Sequence, residues 1–262
     1  MAASSRIRYG ARTPDELRNR EVELTSLGVW ALTLTAIYET DADAIAAVLP
    51  RPLEPPPEPL VRVTVAAVDI GLGRPPFGAG TFAVSAVHEG LLGAYPLVMP
   101  MTTEQAVVGG RETFGEPKKL AEVVVSRDGD RVQGWFERMG TRFVEIDGRV
   151  GAPVETPVRT RTDFYFKFLP APDGNGFDTD PALVYCHREE TTREAFVVDG
   201  DIVLRESRFD PVADLPVRKL RSVELAERTS RQWGELHGTV PGDWITPFVH
   251  QRYDDLSPVG TD

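Results

Sequence analysis

The sequence predicts an α+β protein that is mostly β, built from antiparallel strands with few helices. Three observations carry this reading. The chain has 23 glycines and 22 prolines, about one residue in six, and they punctuate it throughout. Between them lie short segments of alternating character, of which Val61-Arg62-Val63-Thr64-Val65 is the cleanest. Turn signals join neighbouring segments: Asp128-Gly129-Asp130, Met139-Gly140-Thr141 and Asp199-Gly200-Asp201.

In chain order, residues 1 to about 20 are polar and read as a peripheral arm, and 21 to 262 as one domain with no internal repeat. Strands are expected at Leu32 to Tyr38, Val61 to Val65, Thr81 to Val87, Glu122 to Ser126, Arg131 to Arg138 and Arg142 to Ile146. Five more are expected at Phe164 to Phe168, Ala182 to Cys186, Ala195 to Val198, Ile202 to Glu206 and Leu220 to Leu225. A helix should start at Thr40, whose side chain can cap it, and stop at Pro50. Glu104 to Val108 reads as one or two helical turns ending at Gly109-Gly110, and Thr246 to Leu256 as a C-terminal helix. The five prolines between Pro52 and Pro59 make a stiff extended connection.

Composition narrows the function. Forty acidic against 29 basic residues give a net charge of −11, and no dense Lys/Arg stripe offsets it, so nucleic acid is not an expected partner. No apolar run approaches the roughly 18 residues of a membrane span, and the first residues do not read as a secretory signal. A single cysteine, Cys186, cannot form an internal disulfide, and a cytoplasmic address is the expectation. Cys186 reads as a core residue. The four histidines, at 88, 187, 237 and 250, show no ligand spacing, so no metal is expected. Gly71-Leu72-Gly73 lacks the third glycine of a dinucleotide loop and reads as turn geometry near a pocket mouth.

The segment Val108 to Ala121 carries the chemistry. Apolar stretches bracket it, so the chain enters the core here, and Pro117 sets an extended entry. In an extended segment Lys118 and Lys119 point to opposite sides, one facing a closed pocket while the other reaches solvent. Glu116, two residues before Lys118, falls on its side of the strand.

The string G-R-E-x-x-x-x-P-K-K-L, Gly110 to Leu120, resembles the signature of the acetoacetate decarboxylase family. The resemblance continues through Tyr38-Glu39-Thr40-Asp41, Pro50-Arg51-Pro52-Leu53, Glu58-Pro59-Leu60-Val61-Arg62, Tyr165 to Pro170, Asp173-Gly174 and Asp210 to Val217, in order and spacing. It implies a large antiparallel sheet curled into a closed, cone-like barrel, a homo-oligomer, and no cofactor. It also implies a Schiff-base lyase acting on a small keto acid, with Lys118 as the imine-forming residue and Lys119 as the neighbouring cation. Decarboxylation of a β-keto acid is the default reaction. Aldolase-dehydratase chemistry on pyruvate-like substrates uses the same lysine, and a non-catalytic carbonyl-binding pocket is the reading from another class.

An ordinary lysine is neutral in only about one molecule in 2,500 at pH 7, so a nucleophilic one must be discharged by its surroundings. Desolvation or a nearby cation is the pattern associated with this family. A cation about 7 Å away is worth only about 2.4 kcal/mol at an effective dielectric near 20, so burial is expected to dominate over Lys119. An acidic protein that binds an acid must make its pocket locally positive or strongly apolar; Arg111 is the candidate for the former, unless it pairs structurally with Glu112. The sequence departs from the family at three places. Gap-free counting puts Ala31 where the family has an arginine, and Phe77 and Thr64 where it has glutamates. Asn19-Arg20-Glu21 spells the family's N-R-E but would need an insertion of about eleven residues to serve, by the same count. Phe77 becomes a candidate substrate contact and Glu116 a candidate replacement carboxylate.

Overall fold

The computed structural model describes residues 7, 9–17, 29–71 and 75–254. Asn19-Arg20-Glu21 and Leu72-Gly73 lie outside the described residues. Within the arm, residues 9–17 are mostly exposed and contain one helical turn at 14–17.

Among the described residues eleven strands form one sheet. They are β1 (Trp30–Glu39), β2 (Leu60–Asp69), β3 (Phe77–His88), β4 (Leu91–Met101), β5 (Lys118–Leu120) and β6 (Glu122–Asp128). After these come β7 (Arg131–Arg138), β8 (Thr141–Pro153), β9 (Arg159–Lys167), β10 (Ala182–Leu204) and β11 (Lys219–Thr239). Seven of them, in the order β11-β1-β2-β3-β4-β9-β10, close into a barrel because β10 pairs back onto β11. Closure removes the two edges that an open sheet would expose. The far half of β10 leaves the barrel and continues as β8-β7-β6, a flap that packs on the outside of β1 to β3.

The period-two pattern explains how. On β1 and β2, Leu34, Ala36, Tyr38, Val61, Val63 and Val65 are buried on one face. They meet Val132, Phe136, Phe143 and Ile146 of the flap in the main core. Glycines let the layers approach: a Cβ on Gly134 would lie 3.1 Å from Val65, and one on Gly80 would overlap the Phe136 ring. The other face of the same strands, with Thr33, Thr35, Arg62 and Thr64, lines the barrel interior. That interior face is polar because it lines a cavity.

Helix α1 (Ala42–Val48) follows β1, but its N-cap is Asp41, with no side-chain cap bond. Thr40 does not cap it; its hydroxyl is buried without a hydrogen-bond partner. Helix α2 (Glu104–Phe114) does not stop at Gly109-Gly110 but runs through both to Gly115. Asp199-Gly200-Asp201 is not a turn. It lies inside β10, which joins three expected strands into one and pairs Gly200 with Gly148. The two glycines allow a close strand approach there: a Cβ on Gly148 would sit 2.7 Å from Gly200 Cα. The expected C-terminal helix is broken into α3 (Gly242–Ile245), a 3₁₀ turn at Thr246–Phe248 and α4 (Val249–Arg252), and the chain is extended again at Tyr253. The turns at Gly129 and Gly140 are where expected, both glycines having positive φ.

Candidate active site

The lysine pair is delivered by α2 and β5. Gly115 ends α2 in the left-handed region at φ 82°, its N–H donating to the Arg111 carbonyl while the next N–H, of Glu116, donates to that of Gly110. A side chain there would strike the backbone of Lys167 at 2.6 Å, so glycine is required twice over. The chain then turns back at Pro117 and pairs parallel to β4, with Lys118 opposite Met99 and Lys119 opposite Pro100. Extended backbone sends the two lysines to opposite sides, as expected.

Lys118 faces the barrel interior and lines a cavity of about 590 Å³. Phe77, Ala79, Met99, Met101 and Ala106 make its apolar end. Lys118 Nζ lies 2.7 Å from Glu116 Oε2, and the two side chains are 14% and 1% exposed, so Glu116 is no solvated turn residue. The other carboxylate oxygen accepts from Arg188 at 3.1 Å and from Gln232 at 3.4 Å. Gly110 makes room for this pair: a Cβ there would overlap Glu116 and approach Lys118 Nζ to 2.6 Å. Gln232 also donates to Cys186 Sγ at 3.0 Å. Cys186 is fully buried, as expected of a core residue, and burial pushes its thiol up to about 11. A thiol so placed is no nucleophile at neutral pH.

Beyond Glu116 the wall is cationic. Arg62, Arg161 and Arg188 surround the buried Asp163 at 2.7, 3.9 and 3.6 Å. Arg161 and Arg228 share Glu190 at 3.0 and 3.2 Å, and Arg228 also meets Glu224 at 2.6 Å. Burial is the main influence on Asp163 and would raise it, but the three guanidiniums outweigh that and hold it below the usual carboxylate range. Arg161 is pushed down to about 10 by burial and by Arg62 beside it. A carboxylate depressed by folding stabilises fully above its unfolded pKa of about 3.9 and loses that contribution as pH falls through the lower folded value. Acid unfolding below about pH 3.9 should therefore proceed partly through Asp163. Asp163→Asn should cost about 3–5 kcal/mol at neutral pH and flatten the acid limb, read by thermal melts across pH. An unchanged acid limb would exclude Asp163 as its source.

Lys119 does not reach solvent. It is buried behind β5, 3.2 Å from Asp210 and 3.1 Å from Asp254. Arg138 contacts the same two carboxylates, making a balanced set of two cations and two anions. Burial opposes the ionisation of Asp254, but Arg138 and Lys119 overcome it and hold its carboxyl low. The reason for the misplaced expectation is tertiary: the flap and the segment around Asp210 cover the outer side of β5. Lys119→Met should destabilise the fold by about 3–5 kcal/mol, since it strands buried carboxylates, while the pH midpoint of chemistry in the cavity moves little. A large movement of that midpoint would make Lys119 an electrostatic partner of Lys118 after all.

Arg111 is not among the residues lining the cavity. Its guanidinium donates to the carbonyls of Lys118 and Arg252, both at 3.1 Å, and lies 5.0 Å over the Tyr253 ring. It pins β5 to α4 rather than pairing with Glu112. The sequence reading missed the arginines that do line the cavity. Arg62 alternates with valines, and Arg161, Arg188 and Arg228 sit between polar neighbours, patterns that ordinarily mark a solvent face. The histidines are also closer than their spacing implied. His88 and His237 ring centroids are 5.2 Å apart, Glu89 lies beside them, and the ligand atoms of the three fall within 4.8 Å of one another. Tyr185 orients His88 through a 2.5 Å bond to Nδ1. These donors suit a divalent ion, and none of them lines the cavity.

The acetoacetate decarboxylase family profile matches residues 13–236, most of the chain and all of the barrel except the end of β11. The chain belongs to this family. An acetoacetate decarboxylase of Ralstonia nicotianae is 28% identical over 198 residues, covering 70% of this chain and 76% of that protein. The enzyme of Paraburkholderia phytofirmans is 27% identical over 197 residues, covering 71% and 75%. A solved acetoacetate decarboxylase superposes with a TM-score of 0.72 at 23% identity, covering 87% of this chain and 99% of that one. The enduracididine biosynthesis enzyme MppR, solved with pyruvate, gives 0.68 at 18% identity over 79% and 88% of the two chains. These likenesses bear out the mostly β, closed-barrel fold. Ala31, Thr64 and Phe77, where the sequence departs from the acetoacetate decarboxylase pattern, all line the cavity. No helix among the described residues is long and apolar enough to cross a membrane.

Proposed function

We propose that this member of the acetoacetate decarboxylase family is an imine-forming lyase for a small keto acid, with Lys118 as its catalytic amine. The observation that carries the reading is the 2.7 Å contact between Lys118 Nζ and Glu116 Oε2 at the wall of a cavity with an apolar end and a cationic wall. Glu116 gives the ammonium proton somewhere to go. With the proton on Oε2, the amine lone pair attacks the substrate ketone carbon. The departing oxygen takes that proton from Glu116 and a second from the attacking nitrogen, passed through the same carboxylate, so that water leaves and the iminium forms. For a β-keto acid, the bond to the carboxylate then breaks. Its electron pair moves into the iminium as CO2 departs, and the enamine carbon takes up a proton before water releases Lys118. Arg188, which shares Glu116 with Lys118, places positive charge beside this centre, where the substrate carboxylate would be met.

Decarboxylation is the default because the family's curated relatives are acetoacetate decarboxylases. One specific observation favours a second reading. MppR, of similar fold, has been solved with the condensation product of pyruvate and imidazole 4-carboxaldehyde. The same enamine can attack an aldehyde instead of a proton, giving aldolase-dehydratase chemistry. Incubation with 2- and 3-keto acids, each with and without an aldehyde, while following CO2 and condensation products, separates the two. Because Ala31, Thr64 and Phe77 replace charged family residues in the wall, acetoacetate should release CO2 at least tenfold more slowly than the preferred keto acid does. Brisk acetoacetate turnover would show that Glu116 and Arg188 fully replace the missing groups.

A further inference from the structure

Charge in the cavity is not balanced. Among the described residues, six cations line it: Lys118, Arg62, Arg159, Arg161, Arg188 and Arg228. Four carboxylates contact them, Glu116, Asp163, Glu190 and Glu224. Two positive charges are left over along the cavity, one of them on Arg159, which is half exposed, in a protein whose net charge is −11. The Nε atoms of Arg62, Arg161, Arg188 and Arg228 are also buried without a hydrogen-bond partner. Buried cations of this kind are costly unless an anion completes the set.

The strand register arranges them in levels. On β10, Arg188 faces Arg161 across β9 and Gln232 across β11, and Glu190 faces Arg159 and Ser230. Arg188 and Glu190 are two residues apart on one strand face, so the levels are about 7 Å apart. Lys118, Glu116, Arg188 and Gln232 form the first level. Arg161, from the level of Arg188, and Arg228, from that of Thr192, turn their guanidiniums onto Glu190 at the second. A reacting β-carboxylate at Arg188 accounts for one surplus charge and leaves the other at the second level, where Arg159 joins Arg161 and Arg228 against Glu190 and Glu224.

We propose that the substrate is a keto acid bearing a second carboxylate, held at the second level by Arg161 and Arg228 while Lys118 takes the ketone. This rests on the imine-forming reading and adds the substrate class. The probes are 3-oxoadipate and 3-oxohexanoate, which differ only by a carboxylate in place of the far methyl. Borohydride trapping on Lys118 at subsaturating concentration should be tenfold or more faster for the diacid, the size of one charge-assisted contact. Arg228→Gln and Arg161→Gln should each erase most of that preference, read as the ratio of diacid to monoacid trapping within the same variant. Adipate, which has no ketone, should bind the wild-type protein in calorimetry at least tenfold tighter than hexanoate. Equal trapping of the two keto acids, or a preference that survives both substitutions, overturns the second subsite and leaves the imine reading standing. Failure of every keto acid to label Lys118 overturns the imine reading. In that case calorimetry still decides the subsite, adipate-selective binding supporting it and the lack of selectivity removing it.

Discussion

Lys118→Ala is expected to abolish borohydride-trapped adducts altogether, leaving no substrate-derived mass on the peptide that contains residue 118. The effect should be complete because the amine is the bond-forming atom and no second lysine is placed to substitute: Lys119 lies behind β5, held by Asp210 and Asp254. Turnover should fall to the solution background, a loss of many orders of magnitude for a covalent catalyst. The fold should survive. Lys118 contributes one ion pair at the cavity wall, and Glu116 keeps Arg188 and Gln232 as partners. Intact-mass spectrometry after reduction, with a thermal melt as control, reads both. Labelling spread over surface lysines and unchanged in the variant would instead favour a carbonyl-binding pocket without catalysis.

The second large effect is expected for Glu116→Gln. The substitution keeps size and hydrogen-bonding capacity but removes the group that takes and returns the proton. General acid–base contributions of this kind are about 10²- to 10⁴-fold, so imine formation should slow by that factor. The pH dependence should change with it, since the amine would lose its proton to solvent rather than to a neighbour. A stopped-flow or quenched trapping series across pH measures both quantities. Should the rate and its pH profile stay as in the wild type, Glu116 would be a structural counter-ion for Arg188 and Lys118 only. A truncation such as Glu116→Ala is less informative, because it opens a void beside Gly110 and leaves Arg188 short of a partner.

Much of the protein was legible in the chain itself. Alternation in Val61 to Val65, together with glycine turns at 129 and 140, points by local chemistry alone to a strand-rich, mostly antiparallel fold; the parallel pairings of β4 with β5 and β9 lie beyond it. The P-K-K segment likewise determines that its lysines diverge, because side-chain direction in extended backbone has a period of two. Glu116 reaches Lys118 instead through a tight turn at Pro117, closed by the Lys118 N–H donating to the Glu116 carbonyl at 2.8 Å. Local rules could not say which side is wet. The covering of β5 by the flap and by the segment around Asp210 buried Lys119, and those contacts join residues some 90 positions apart. The turn expected at Asp199 to Asp201 became strand because pairing with β8 outweighed a local preference. α2 ran through Gly109-Gly110 because helix packing outweighs about 1 kcal/mol per glycine, and because Gly110 leaves space for Glu116 and Lys118.

The cationic wall is the clearest case. Arg62, Arg161, Arg188 and Arg228 sit on strands β2, β9, β10 and β11; Arg62 alternates with valines and the other three have polar neighbours, as solvated residues would. The strand pattern determines two faces; only barrel closure between β10 and β11 decides that the polar one lines a cavity. Periodicity records the contrast between faces and carries no information about what lies beyond each. That is set by which strands pair at long range, and so by the whole chain.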